Sequence, residues 1–206
     1  MRPDTCPIRA TPGFCVLMAA LLLADDGNGL LLWFLLAAAC HELGHLAAAL
    51  AQGLEVRSLT LSAMGAELDI SRRCSYPGEL LLLLCGPLVN LLLAALCCRL
   101  PGGAAHLFAG INLLLALFNL LPIPPLDGGE MVRLGAEWLL PGRTAFFVVE
   151  LLADFTCILF TAFGLWFALQ GNPMLLMLGI WLLLGRLGRG NFFIKRNCYM
   201  KSNMLK

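Results

Sequence analysis

The segment from Leu30 to Leu50 is apolar almost throughout, and three further runs resemble it: Leu80 to Cys98, Ala104 to Leu121 and Ala145 to Leu169. A helix needs about 20 apolar residues to cross the roughly 30 Å of hydrocarbon in a bilayer, so each run is long enough to span. In lipid every backbone polar group must be satisfied within the protein, which makes such a run a helix. Apolar residues make up 60% of the 206 positions, and the mean hydropathy is +0.84. One soluble core of this length would not bury that much apolar surface. Two shorter runs, Gly13 to Ala24 and Pro173 to Gly185, are each either a short span supported by its neighbours or an interfacial segment, and counting both as spans gives six. The expected fold is an all-α polytopic membrane protein with six transmembrane helices. Arg2 and Arg9 precede the first run as they would in a secretory signal, but no A-x-A cleavage site follows, so that run is expected to stay in the protein.

Six crossings put both chain ends on one side, and the basic residues then sort sharply. Arg2, Arg9, Arg57, Arg72, Arg73, Arg133, Arg143, Arg186, Arg189, Lys195, Arg196, Lys201 and Lys206 fall on that side, and of the 14 lysines and arginines only Arg99 falls on the other. Because basic loops stay in the cytoplasm, both termini are expected there. The chain divides into a cytoplasmic N-terminus (1–12), a membrane domain (13–185) and a basic tail (186–206). That tail mixes basic with apolar residues, which suits an anionic leaflet of the lipid bilayer and not nucleic acid. The 9 cysteines form no C-x-x-C pair and sit mostly in apolar runs, a poor disulfide framework that reads as small hydrophobic packing.

Polar residues interrupt the apolar runs at three places. The second run carries "HELGH" (41–45), the third "GPLVN" (86–90), and the fourth is followed by "NLLPIPPLDGGE" (119–130). Under the six-span topology all three lie at one depth, nearer the cytoplasm. Residues four apart share a helix face, so His41 and His45 can present ring nitrogens to one metal ion. Glu42 stands about 100° around the helix, which suits a base acting on water better than a third ligand. Asp127 is the best candidate for the third ligand. Pro122, Pro124 and Pro125 deny its surroundings a regular helix, and Gly128 and Gly129 are expected to let the backbone turn sharply. Interhelical hydrogen bonding by the histidines, a ferrous site and an ordinary turn aspartate remain open readings of the same residues. A metal transporter would spread polar groups along the whole crossing, and a non-catalytic scaffold would have no need of Glu42.

At these positions the sequence resembles the site-2 protease family of intramembrane zinc metalloproteases, through "HELGH", "GPLVN" and N-x-x-P-x-x-x-x-D-G at 119–128. The resemblance implies that His41, His45 and Asp127 bind one Zn²⁺ and that Glu42 is the catalytic acid and base. It implies that Asn119 and Pro122 shape the loop carrying the aspartate, and it puts Asn90 near the site, where its amide is either a donor to the reaction's oxyanion or an ordinary interhelical hydrogen-bonder. The implied activity is hydrolysis of peptide bonds in membrane-associated proteins. The six-span layout is most similar to the bacterial sporulation branch, which implies a sigma-factor precursor as substrate and a membrane-embedded regulatory protein as a further partner. No stretch here has the length of a PDZ domain, and the tail is too short for the CBS domain of that branch. Residues 56–70 alternate apolar and polar around Met64 and Gly65, as in a small β-hairpin in the cytoplasmic loop between helices 2 and 3, which either pairs one edge with an extended substrate or only covers the site. Glu150 and Asp154, one helical turn apart, either line the substrate's access route or sit at the membrane interface.

Overall fold

The computed structural model describes residues 8–24, 29–62, 65–70 and 75–187. Met64, Arg2, Arg72, Arg73 and the basic segment from 188 onward lie outside these residues. The chain forms two compact units, Met1–Val149 and Glu150–Lys206, with the boundary inside one long helix.

The first unit begins with β1 (Ile8–Ala10) and α1 (Pro12–Ala24), followed by α2 (Leu30–Ala51), β2 (Val56–Ser62), β3 (Gly65–Ile70), α3 (Tyr76–Cys97), α4 (Gly103–Asn119) and α5 (Asp127–Leu139). The helix α6 (Gly142–Leu169) runs into the second unit, which also holds α7 (Met174–Leu187). Each apolar run read from the sequence corresponds to a helix. Among the described residues, Leu30–Ala51, Tyr76–Cys97 and Gly142–Leu169 are long and apolar enough to cross a membrane, while Gly103–Asn119 and Met174–Arg186 are apolar but shorter. At 1.5 Å per residue, the 17 residues of α4 reach about 25 Å. Leu32, Leu43, Leu92, Leu114, Leu151 and Leu159 are exposed, as expected of helices whose outer surface is solvated by lipid. This is a mostly helical membrane protein.

The helices of the first unit pack as membrane helices do. Lipid tails remove the hydrophobic drive between helices, so their interfaces rely on small residues and buried hydrogen bonds. The buried stripe of α2 is Ala37, His41, Gly44, His45, Ala48 and Ala49. It faces Gly86, Pro87, Asn90 and Ala94 of α3, and α4 contributes Ala109, Asn112 and Ala116. A β-carbon at Gly44 would lie 2.6 Å from the Cys85 carbonyl oxygen, so only glycine lets α2 and α3 come this close. Gly53 ends α2 at φ +67, a left-handed conformation that suits glycine. Its N–H donates to Leu50 O at 2.9 Å and that of Leu54 to Ala49 O at 3.0 Å, which closes the last turn as a Schellman motif with Leu54 buried.

Two elements depart from the sequence reading. The loop between α2 and α3 is part of a three-stranded sheet in the order β1-β2-β3. Strands β2 and β3 pair antiparallel, and β1 adds parallel to β2 with Ile8 opposite Leu59 and Ala10 opposite Leu61. A strand of 3 residues is too short to show a period of two, so the segment 1–12 read only as a terminus. The second departure is α5. Residues 127–139 are amphipathic and mostly polar compared with the spans, so a search for apolar runs passes over them. The helix buries Gly128, Gly129, Leu134 and Ala136. Ala136 joins Ala145 and Val149 in a small core, with Val132 packed against it.

Candidate metal centre

Histidines 41 and 45 lie on the α2 face that meets α3, and Asp127 is the first residue of α5. His41 Nε2 is 3.0 Å from Asp127 Oδ2, His45 Nε2 is 3.4 Å from the same oxygen, and the two Nε2 atoms are 3.1 Å apart. Among the described residues these three side chains are the group whose ligand atoms could hold a metal ion. Both histidines are buried, 5% and 7% exposed.

The second nitrogen of each ring shows what the first can do. His45 Nδ1 lies 2.8 Å from the Leu82 carbonyl oxygen, which can only accept, so Nδ1 carries the proton. His41 Nδ1 lies 2.6 Å from Asn90 Oδ1. The Asn90 amide nitrogen is committed to Ala37 O at 3.1 Å and Asn112 Oδ1 at 2.7 Å, which leaves its oxygen to accept from His41. In the neutral rings both Nε2 atoms are therefore bare lone pairs. Facing them is Asp127 Oδ2, buried and without a hydrogen-bond partner. The contacts from the rings to Asp127 become hydrogen bonds only if an imidazole takes a second proton. Otherwise three lone pairs face one another, an arrangement that a shared cation resolves.

The space in front of the nitrogens also fits a cation. A β-carbon at Gly86 would lie 2.3 Å from His45 Nε2 and 2.9 Å from His41 Cε1, so the absent side chain keeps the cradle open. Two imidazoles and one carboxylate supply three protein ligands and leave one position free, the donor set of a catalytic zinc site and not of a closed structural one.

Asp127 owes its position to close packing. A β-carbon at Gly128 would lie 2.2 Å from Leu120 O, and one at Gly129 would lie 2.2 Å from Ile123 C and Pro124 N. Neither glycine has positive φ; both are helical. The expected sharp turn at these residues is thus corrected: they are glycines because the first turn of α5 rests on the backbone of residues 120–124. Arg133 ties α5 to α3, with Glu130 at 2.7 Å, Glu137 at 2.8 Å and Glu79 of α3 at 3.6 Å. Burial works against the Arg133 charge, but the carboxylates of Glu130 and Glu137 outweigh it and hold its pKa above the ordinary arginine value.

The remaining expected site residues fall as follows. Glu42 is half-buried on α2 and within electrostatic reach of His45. Asn90 is fully buried, and its two amide hydrogens already have acceptors. It has no donor left for an oxyanion and serves instead to orient His41. Asn119 donates to Leu115 O at 3.0 Å in its own helix, and Pro122 is half-buried in the bend that follows. Glu150 and Asp154, in the second unit, are engaged by Arg186 at 2.7 and 2.6 Å. Three participants escaped the sequence reading: the Leu82 carbonyl, the room at Gly86, and Asn112. The last was legible in principle, as a lone amide in the apolar stretch "FAGINLLL".

Residues 103–162 match the sequence profile of peptidase family M50. The Synechocystis protein sll0528 is 38% identical over 113 residues, 50% of this chain and 30% of that protein. Rip3 of Mycobacterium tuberculosis is 38% identical over 125 residues, 54% of this chain and 31% of that protein. Both carry "zinc metalloprotease" in their names. Stage IV sporulation protein FB of Bacillus subtilis is 31% identical over 140 residues, 64% of this chain and 49% of that protein. The chain is thus similar to peptidase family M50 over residues 103–162 and to zinc metalloproteases over about half its length. It spans less than half the length of the curated relatives it matches. Its fold is similar to that of the site-2 protease from Methanocaldococcus jannaschii, with a TM-score of 0.65 at 21% identity over 87% of this chain and 88% of that one. Zinc is the metal in the names of the two metalloprotease relatives, and the donor set assembled by α2 and α5 fits it.

Proposed function

We propose that this chain is an intramembrane zinc metalloprotease that hydrolyses peptide bonds of membrane-associated proteins. The observation that carries the proposal is the convergence of two bare Nε2 atoms on a buried, unpartnered Asp127 Oδ2. His41, His45 and Asp127 would hold the zinc ion, whose Lewis acidity when bound brings the pKa of water toward neutrality and polarises a carbonyl. Glu42 takes the proton from the attacking water as its oxygen bonds to the scissile carbonyl carbon. It returns that proton to the amine nitrogen as the C–N bond breaks. Asn90 and Leu82 O hold the rings in the tautomer that keeps Nε2 free. Asn119 and Pro122 act on the loop that delivers Asp127. Glu42→Gln keeps the shape of the side chain and removes its basicity; co-expressed with a cleaved substrate it should abolish cutting, and continued cutting would contradict the role.

A protease needs its substrate extended, and the sheet supports a way to hold it. Among the described residues strand β2 is flanked by β1 and β3, so the open edge on the hairpin is that of β3, and an extended substrate adds there through backbone hydrogen bonds. The full topology belongs to the same proposal: six crossings, residues 13–185 as the protease domain, residues 1–12 and 186–206 as cytoplasmic ends, and a multi-pass protein with the site near the cytoplasmic face. Similarity to the sporulation protein makes a sigma-factor precursor the substrate class to try first, together with a membrane-embedded regulatory partner.

A further inference from the structure

The hydrogen bonds behind His41 do not stop at Asn90. Asn90 Nδ2 donates to Asn112 Oδ1 at 2.7 Å, and Asn112 Nδ2 donates to the Phe108 carbonyl oxygen at 2.8 Å. Both asparagine side chains are fully buried. The chain Phe108 O, Asn112, Asn90, His41 thus crosses from α4 through α3 to α2. Each amide has two possible orientations, and a carbonyl oxygen that can only accept decides each one. Phe108 O fixes the Asn112 nitrogen, which turns the Asn112 oxygen toward Asn90. Ala37 O and that oxygen together fix the Asn90 nitrogen. Only the Asn90 oxygen then remains for His41, so Nδ1 must donate.

We infer that Asn112 is a positioning residue for the metal centre, acting through Asn90 to fix the tautomer of His41 so that Nε2 faces the site without a proton. The inference rests on the proposal that His41, His45 and Asp127 hold zinc. A flipped Asn90 amide would offer N–H to His41 Nδ1, drive the ring proton to Nε2, and put hydrogen where the metal belongs. Such a flip sets oxygen against oxygen at Ala37; with Asn112 present it does so at a second place as well. Removing Asn112 leaves a single constraint on the flip. An Asn–Asn pair that served only to join α3 to α4 would need no defined polarity and no connection to a histidine.

The test compares Asn112→Leu, which keeps the volume and cuts the chain, with Asn112→Asp, which keeps an acceptor toward Asn90. The chain has 3 histidines, so ¹⁵N ring shifts in zinc-free protein are assignable by single substitutions. Zinc affinity is read by chelator competition. Loss of a partner behind a ligating histidine typically weakens metal binding 10–100-fold, and Asn112 is one bond further away, so about a tenfold loss is expected for the leucine variant. The expected result is a protonated Nδ1 on His41 in the parent and Asn112→Asp proteins, mixed tautomers in Asn112→Leu, and zinc affinity within about threefold of the parent only for aspartate. If the leucine variant does not fold, Asn112→Ala makes the same cut. A leucine or alanine variant matching the parent in both tautomer and affinity would overturn the inference. So would an aspartate variant that binds zinc worse than leucine, the order a packing role produces. A parent protein that takes up no zinc would sink the metal-site proposal instead, and the ¹⁵N comparison would still decide the role of Asn112.

Discussion

Asp127 presents Oδ2 to His41 Nε2 at 3.0 Å, and that oxygen is buried with no hydrogen-bond partner. A buried acceptor left unsatisfied costs about 1–3 kcal/mol, more if charged, and here the neighbouring ring nitrogens are acceptors too. With both rings neutral the pairing is therefore unfavourable until a cation sits between the atoms, which couples metal binding to the stability of α2 and α5.

Zinc should stabilise the protein by mass action, about 2.7 kcal/mol at a hundred times its dissociation constant. Asp127→Asn should lose that increment while its zinc-free form melts no lower than the zinc-free parent, because the unpartnered carboxylate has been removed. Thermal melts in detergent, with zinc and with a chelator, measure both effects. A zinc-free Asp127→Asn protein that melts well below the parent would show that the carboxylate is satisfied without metal.

Gly86→Ala places a methyl group 2.3 Å from His45 Nε2. Zinc binding should fall below detection while the helical circular dichroism is retained. Gly128→Ala acts differently, since its methyl group meets Leu120 O at 2.2 Å. It should displace the start of α5 and cost about 1–3 kcal/mol, typical of overpacking. Titration of zinc into each purified variant separates a filled cradle from a displaced ligand.

The helices and the core of the site were readable in the sequence because membranes simplify the code. Apolar runs mark helices, and a polar residue inside one needs a reason, so His41, His45 and Asp127 stood out. The parts that were not readable have physical causes. Strand β1 is too short to show alternation, and α5 is polar enough to hide beside longer apolar neighbours. Gly128 and Gly129 suggested a turn, but the sequence does not distinguish a glycine kept for its dihedral freedom from one kept for close approach. For Asn90 the sequence leaves open a donor to substrate and an interhelical hydrogen-bonder, because which atoms its amide engages depends on Ala37 O and Asn112, neither of which the motif contains.

In the second unit, Arg186 holds Glu150 and Asp154 together across α6 and α7. Arg186→Met should lower stability by about 1 kcal/mol, between the values for exposed and buried pairs. Adding Glu150→Gln and Asp154→Asn should recover most of that loss without changing cleavage. Triple-variant protein that stays active and regains its melting temperature supports a structural pair; lost cleavage would return these carboxylates to the substrate's path.

Proline substitutions at positions 66–69 remove backbone donors along β3. Those on the outward edge should slow cleavage while leaving zinc content unchanged, and those facing β2 should destabilise the hairpin. Cleavage unaffected by any of them would rule out strand addition at this edge.

The most direct measurement is zinc K-edge X-ray absorption on the purified Glu42→Gln protein, which keeps all three ligands. The expected spectrum shows one zinc per chain with only nitrogen and oxygen neighbours near 2.0–2.2 Å, including the signature of two imidazoles. A sulfur shell near 2.3 Å, which would transfer the metal to cysteines such as Cys40 or Cys85, or the absence of bound zinc, would contradict a centre built from His41, His45 and Asp127.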